Sequence, residues 1–124
     1  MNKEEIINKK LQSLSKSKFR NSFSLNKKQI EYINNKGIIE IKNHAFKIIN
    51  ERLKPSKIEN DGHQTPYKGH PIFVAQHACA CCCRSCLYKW HNISIDKELT
   101  DNEINYIVTL LMYWIKNNLK SKKM

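Results

Sequence analysis

The sequence has no apolar run approaching the roughly 18 residues that a membrane-spanning helix needs, so we expect no membrane protein. Its first ten residues, MNKEEIINKK, are polar and lack the apolar stretch of a secretion signal. We therefore expect a cytoplasmic protein whose thiols are kept reduced. The 124 residues also contain no internal repeat and no recognised DNA- or RNA-binding motif. One compact domain is the default for a chain of this length.

Acidic residues are scarce, because 11 Asp and Glu stand against 22 Lys and Arg, for a formal net charge of +11. The excess lies at the ends: residues 1–28 carry +6 and residues 116–124 carry +4. Such tails bind nucleic acid electrostatically, but they are equally typical of solvated chain ends. We expect a basic N-terminal helix or arm over 1–18, a helical domain over 19–116 and a basic tail over 117–124. Nucleic acid is a possible partner through the tails.

Apolar spacing and capping residues predict a mostly α-helical single domain of four or five helices. Asn26 or Ser24 is expected to cap a helix that stops at Gly37, and Thr100 with Glu103 matches a capping box ahead of the last helix. Apolar residues at helical spacing lie in three places, and those of the last helix are expected in the core. The three sets are Ile6, Ile7, Leu11 and Leu14; Ile38, Ile41, Ala45, Ile48, Ile49 and Leu53; and Ile104, Ile107, Val108, Leu111, Trp114 and Ile115.

All five cysteines fall within residues 79–86, between His77 and His91. A continuous helix through this segment would put four of the cysteines on one face and both histidines on the other. A break near residues 80–82 would instead let Cys83, Cys86 and His91 surround one ion, with Cys82 or His77 as fourth ligand. The short run PIFVA ahead of it is compatible with a helix opened by Pro71 or with a buried strand.

The cysteine segment supports three interpretations. Thiolates two residues apart followed by an imidazole favour a transition metal, zinc first, with iron or an iron–sulfur cluster as secondary assignments. The run resembles the start of a zinc knuckle, but the fourth cysteine of that fold is missing after His91. Cysteine is also a small buried hydrophobe, which allows simple helix packing. Finally, Arg84 and the histidines would lower a cysteine pKa and produce a reactive thiol.

Residues 55–70 are predicted to form a long loop leading into the cysteine segment. Asp61 and His70 are the polar side chains that we single out as candidate catalytic residues. In that alternative, the loop and the cysteine segment form a pocket in which a metal-activated water or a thiolate attacks a substrate.

Four segments resemble an uncharacterised bacterial family known as domain of unknown function 4186: HAFKIINERL, NDGHQTPYKGHPIFVAQHA, CCRSCLYKWHNI and NYIVTLLMYWI. The resemblance extends from about Phe19 to Trp114 and implies a small bacterial single-domain protein. It also implies that certain histidines and cysteines recur, namely those at His44, His70, His77, His91, Cys82, Cys83 and Cys86. The family has threonine at the positions of Cys79 and Cys81, glycine at Ser85 and lysine at His63. The resemblance brings no activity, and the predicted metal ligands remain Cys82, Cys83, Cys86, His91 and His77.

Overall fold

The computed structural model describes residues 2–56 and 61–122, and within them the chain is helical without a strand. The predicted loop lies outside this range at residues 57–60, which include Asn60, and the predicted tail lies outside it at residues 123–124. The seven helices of the described residues are α1 Lys3–Ser15, α2 Lys18–Asn21, α3 Lys27–Lys36, α4 Ile38–Arg52, α5 Pro71–Ala78, α6 Arg84–His91 and α7 Asp101–Lys122. The predicted mostly α-helical single domain is confirmed.

The count exceeds the predicted four or five helices for two local reasons. Ser17 Oγ accepts from the Arg20 backbone N–H and starts the single turn of α2, for which the sequence analysis predicts no separate helix. The cysteine segment is divided between the end of α5 and the start of α6. No helix in the described parts of the chain is long and apolar enough to cross a membrane.

Local capping signals set two of the helix starts as predicted. Asn26 and Gln29 exchange side-chain and backbone hydrogen bonds at the start of α3, and Gly37, at φ 86°, ends that helix and begins α4. Thr100 and Glu103 form the same reciprocal pair before α7.

Helix α5 lies at the centre of the domain, against α2, α3, α4 and α7. Seven of its eight residues are buried, Gln76 and His77 among them, so the helix is enclosed on all sides and has no amphipathic stripe. This explains why the periodicity of PIFVA cannot separate a helix from a strand. The residue that remains half-exposed is Phe73. Because α5 is enclosed, the turn that follows it is held deep in the protein.

Candidate metal centre

The chain breaks between α5 and α6, as the second geometry for the cysteine segment requires. Ala80 adopts the left-handed conformation at φ 57°, which stops the helix. The turn is tied back to α5 because the Cys81 backbone N–H donates to Gln76 O (2.8 Å) and Gln76 Nε2 donates to Cys81 O (3.0 Å). The cysteines therefore do not form one helical face.

Three thiols converge after this turn, and we call Cys82, Cys83 and Cys86 the thiol cluster. Their sulfur atoms all lie within 4.8 Å of one another, and the Cys82 and Cys86 sulfurs are 3.6 Å apart. A zinc ion with 2.3 Å bonds to sulfur in a regular tetrahedron places its sulfurs about 3.8 Å apart. The cluster could therefore hold a metal ion after small side-chain movements.

The backbone around the thiol cluster is fixed by side chains of the preceding loop. Thr65 Oγ1 donates to Cys82 O at 2.7 Å. The Asp61 carboxylate accepts from the backbone N–H groups of Arg84 and Ser85 at 3.0 and 3.1 Å, at the N-terminus of α6. A carboxylate is favourable there because it pairs with otherwise free N–H groups and with the helix dipole. Hydrogen bonds from the side chains of Ser85 and Gln64, and then from these two N–H groups, lower the pKa of Asp61 against the opposing effect of burial.

An arginine that the sequence analysis did not identify lies beside the cluster. Arg20 of α2 is only 8% exposed, and its guanidinium donates to His77 O (2.8 Å), Cys82 Sγ (3.6 Å) and Cys86 Sγ (3.2 Å). Arg84, to which we assigned this role, instead turns away and donates to backbone carbonyls of residues 53–55 and of Ser94 and Lys97. No sequence signal identifies Arg20, because its partners are 57 to 66 residues away.

The cluster favours a single thiolate. Hydrogen bonds with the Cys82 and Cys83 thiols, and then the Arg20 guanidinium, lower the pKa of Cys86 despite its partial burial. The hydrogen bond with Cys82 in turn raises the pKa of Cys83. Arg20 balances the resulting negative charge inside the protein.

His77 lies next to this region with one ring nitrogen free among the described residues. Its Nε2 faces the carbonyl oxygens of Thr65 and Pro66, both at 3.1 Å, so Nε2 carries the proton. The ring is 3% exposed, and Nδ1 is buried without a hydrogen-bond partner in the described structure. Burial lowers the pKa of His77, which favours the neutral ring. His77 Nδ1 nevertheless lies outside the group of sulfurs within 4.8 Å of one another.

His91 is not brought to the thiol cluster, contrary to the arrangement we expected. Its Nε2 lies 2.8 Å from Cys79 O and 3.6 Å from Cys81 Sγ, and its Nδ1 lies 2.7 Å from the Tyr106 hydroxyl. A carbonyl only accepts, so Nε2 carries the proton and Nδ1 accepts from Tyr106. Because both nitrogens are used, His91 cannot deprotonate Cys81 in this state, and burial raises the pKa of that thiol further.

The two candidate catalytic residues have separate structural roles. Asp61 caps α6, whereas His70 caps α5 by accepting from the Ile72 backbone N–H through Nδ1 at 3.0 Å. His70 Nε2 lies 2.9 Å from Nδ1 of His44, whose Nε2 lies 3.2 Å from a Glu40 carboxylate oxygen. His70 borders a cleft of about 600 Å³ between α3 and residues 68–71, and no cysteine lines this cleft. The structure therefore does not place Asp61 and His70 together in a pocket against the cysteine segment.

The His70 cap predicts a loss of stability in mild acid. Burial, and secondarily His44, lower the pKa of His70 to about 4, below its usual 6.5. The unfolded chain binds the proton more readily, so this stabilisation is present above pH 6.5 and is lost as the pH falls towards 4. We expect a loss of about 1–2 kcal/mol in this window, with allowance for solvent screening.

The measurement is urea unfolding between pH 7 and pH 4 of the wild type and of His70→Asn, which retains a good capping side chain without the titration. The free energy of unfolding of the variant should decrease less steeply as the pH falls. Some decrease should remain, because burial also lowers the pKa of His91 to about 4. Parallel curves for the two proteins would contradict the assignment.

A family model described as Domain of unknown function (DUF4186) matches residues 8–116 of the chain. No solved structure matches the chain.

Proposed function

The chain belongs to the family described as Domain of unknown function (DUF4186), a name without an activity, so we propose its function from its thiol cluster. We propose that Cys82, Cys83 and Cys86 bind one transition metal ion, zinc first, in a structural or regulatory role. The observation that supports this most directly is the mutual approach of the three sulfurs within 4.8 Å. Sulfur donors favour zinc or iron over calcium or magnesium.

His77 is the fourth ligand in this proposal. Its Nε2–H is held by two backbone carbonyls, the arrangement by which proteins commonly orient a metal-binding imidazole. Nδ1 is then free to act as the ligand atom. Without a metal, this nitrogen is buried with no hydrogen-bond partner among the described residues, which costs free energy. Ligation requires the ring and the cluster to approach each other, because His77 lies outside the group of sulfurs within 4.8 Å of one another.

The charges of the described neighbours fit a divalent ion. Three thiolates and one divalent cation carry a net charge of −1, and Arg20, which already donates to two of the sulfurs, would neutralise it. Arg20 belongs to α2, whereas the thiol cluster joins the turn that follows α5 to the first residues of α6. The metal would thus stabilise the contact among these three segments, which is a structural role.

Metal analysis of protein purified anaerobically tests the proposal. We expect close to one equivalent of metal, and an absorption spectrum of the cobalt-substituted protein typical of tetrahedral thiolate coordination. Cys86→Ser should lose the metal, whereas Cys79→Ala, which removes a buried thiol outside the cluster, should retain it. His77→Gln should change the cobalt ligand-field bands or lower the affinity at least tenfold. Metal well below one equivalent, or equal losses in Cys86→Ser and Cys79→Ala, would contradict the proposal.

A thiolate-dependent enzyme is the second candidate, because the lowered pKa of Cys86 belongs to a half-exposed side chain. Rapid alkylation of Cys86 at neutral pH, without bound metal, would favour it. Visible colour in the anaerobic protein would instead indicate iron or an iron–sulfur cluster.

A further inference from the structure

Two clefts adjoin on the side of the domain formed by α3 and residues 67–71. One, of about 600 Å³, extends from Tyr32 to Lys68, and the other, of about 410 Å³, extends from Lys68 to Tyr67 and Phe23. They lie side by side and share Asn26, Gln29, Lys68 and Gly69, and Gln29 Nε2 donates to Gly69 O at 3.0 Å between them. We call the surface from Tyr32 past Lys68 to Tyr67 and Phe23 the aromatic groove.

The aromatic groove presents rings that are rigidly supported and open to solvent. Tyr67 is 62% exposed although it stacks in parallel on buried His77, with 4.1 Å between ring centroids and 7° between planes. Phe19, next to the groove, is 51% exposed and packs edge-on against Phe23 at 5.2 Å. A ring held by a buried partner while much of it remains exposed is a ready surface for stacking a planar ligand.

The charge around these rings is positive. Lys28 and Lys68 line the groove, and no Asp or Glu is among the lining residues. Within the described residues neither lysine has a carboxylate within salt-bridge distance. At the Phe19 end, the Arg20 guanidinium carbon lies 4.9 Å from the ring centroid. Exposed aromatic rings interspersed with unpaired lysines are the features that bind bases and phosphates of a single strand.

We propose that the aromatic groove, together with Phe19 at its edge, binds single-stranded nucleic acid, with bases stacked on Tyr67 and Phe19 and phosphates on Lys68 and Lys28. This site differs from the basic tails, residues 1–18 and 117–124, which contain no aromatic residue. It does not require the thiol cluster to bind metal.

The test is fluorescence anisotropy of labelled oligouridylate and oligothymidylate of about 12 nucleotides with the full chain over a range of salt concentrations. Tyr67→Ala should weaken binding about tenfold, the usual effect of removing one stacking ring. Lys68→Gln should reduce the slope of log affinity against log salt by about one. Tyr88→Ala is the matched control, since Tyr88 is 55% exposed on α6 outside the groove, and it should stay within twofold of wild type.

Two further variants keep the outcome decisive. If Tyr67→Ala does not fold, Phe19→Ala and Lys68→Gln test the same surface. Replacing Lys3, Lys9, Lys116 and Lys120 together by glutamine tests the tails, and it should leave the sensitivity to Phe19→Ala intact. The proposal is overturned by absence of binding at low salt. It is also overturned if folded ring variants bind like wild type, or if inorganic polyphosphate competes as strongly as the oligonucleotides.

Discussion

Replacing Arg84 by methionine is expected to lower the free energy of unfolding by about 3–5 kcal/mol. The side chain is 2% exposed, and its guanidinium is the shared donor for two separate loops. Nη1 donates to the carbonyl oxygens of Leu53 (3.1 Å) and Pro55 (2.7 Å), and Nη2 to those of Ser94 (2.6 Å) and Lys97 (2.7 Å). Methionine fills much of the same volume but leaves these carbonyls without a donor. A domain of this kind is stable by only about 5–15 kcal/mol, so the variant should lose a large share of its stability.

Urea denaturation monitored by circular dichroism measures this effect. Arg52→Met is the matched control, because Arg52 is exposed and, within the part of the chain that the structure describes, donates one hydrogen bond, to Gln64 O at 2.9 Å. It should lose less than about 1 kcal/mol. Arg84→Lys should fall between the two, since an ammonium group has three donors without the planar fork of arginine. A loss below about 1 kcal/mol in Arg84→Met would show that the loops are held by other contacts.

The helices that the sequence predicts well are those whose signals are local. The capping residues of α3 and α7 act within four residues, and the stripe of α4 repeats within one helix, so each can be identified without knowledge of the fold. Helix α5 lacks such a stripe because it is enclosed on all sides. The single turn of α2 is too short for periodicity to indicate it.

The candidate site was only partly predictable for the same physical reason. The proximity of Cys82, Cys83 and Cys86 follows from local chain geometry once a break in the helix is assumed. The surroundings of that cluster depend on long-range packing, which sequence spacing does not encode. His91 is therefore paired with Cys79 and Tyr106, and Arg20 takes the position expected of Arg84.

Arg20 and Arg84 divide two tasks that the sequence alone cannot separate. Arg84 donates to backbone carbonyls and has no sulfur partner among the described residues, whereas Arg20 contacts two sulfurs of the thiol cluster. Substituting Arg84 should thus affect folding whether or not metal is present. The contribution of Arg20 should depend on whether the cluster carries a net charge. Comparing the free energy of unfolding with and without metal therefore separates the two roles.

Removing the proposed metal with a strong chelator under reducing conditions is expected to destabilise the protein by about 4 kcal/mol or more. This figure corresponds to free metal at a thousandfold excess over its dissociation constant. The effect should appear as a lower urea midpoint for the wild type, with faster amide exchange in α2 and α6, which meet at the thiol cluster.

Cys82→Ser provides the decisive comparison, because it should have the lower midpoint already and should not respond to the chelator. Cys81→Ala, which removes a fully buried thiol outside the cluster, should still respond like the wild type. Equal midpoints for loaded and fully stripped wild type would mean that packing alone holds the three sulfurs together. The cluster would then be a buried contact stabilised by Arg20, since that guanidinium needs no metal to satisfy its hydrogen bonds.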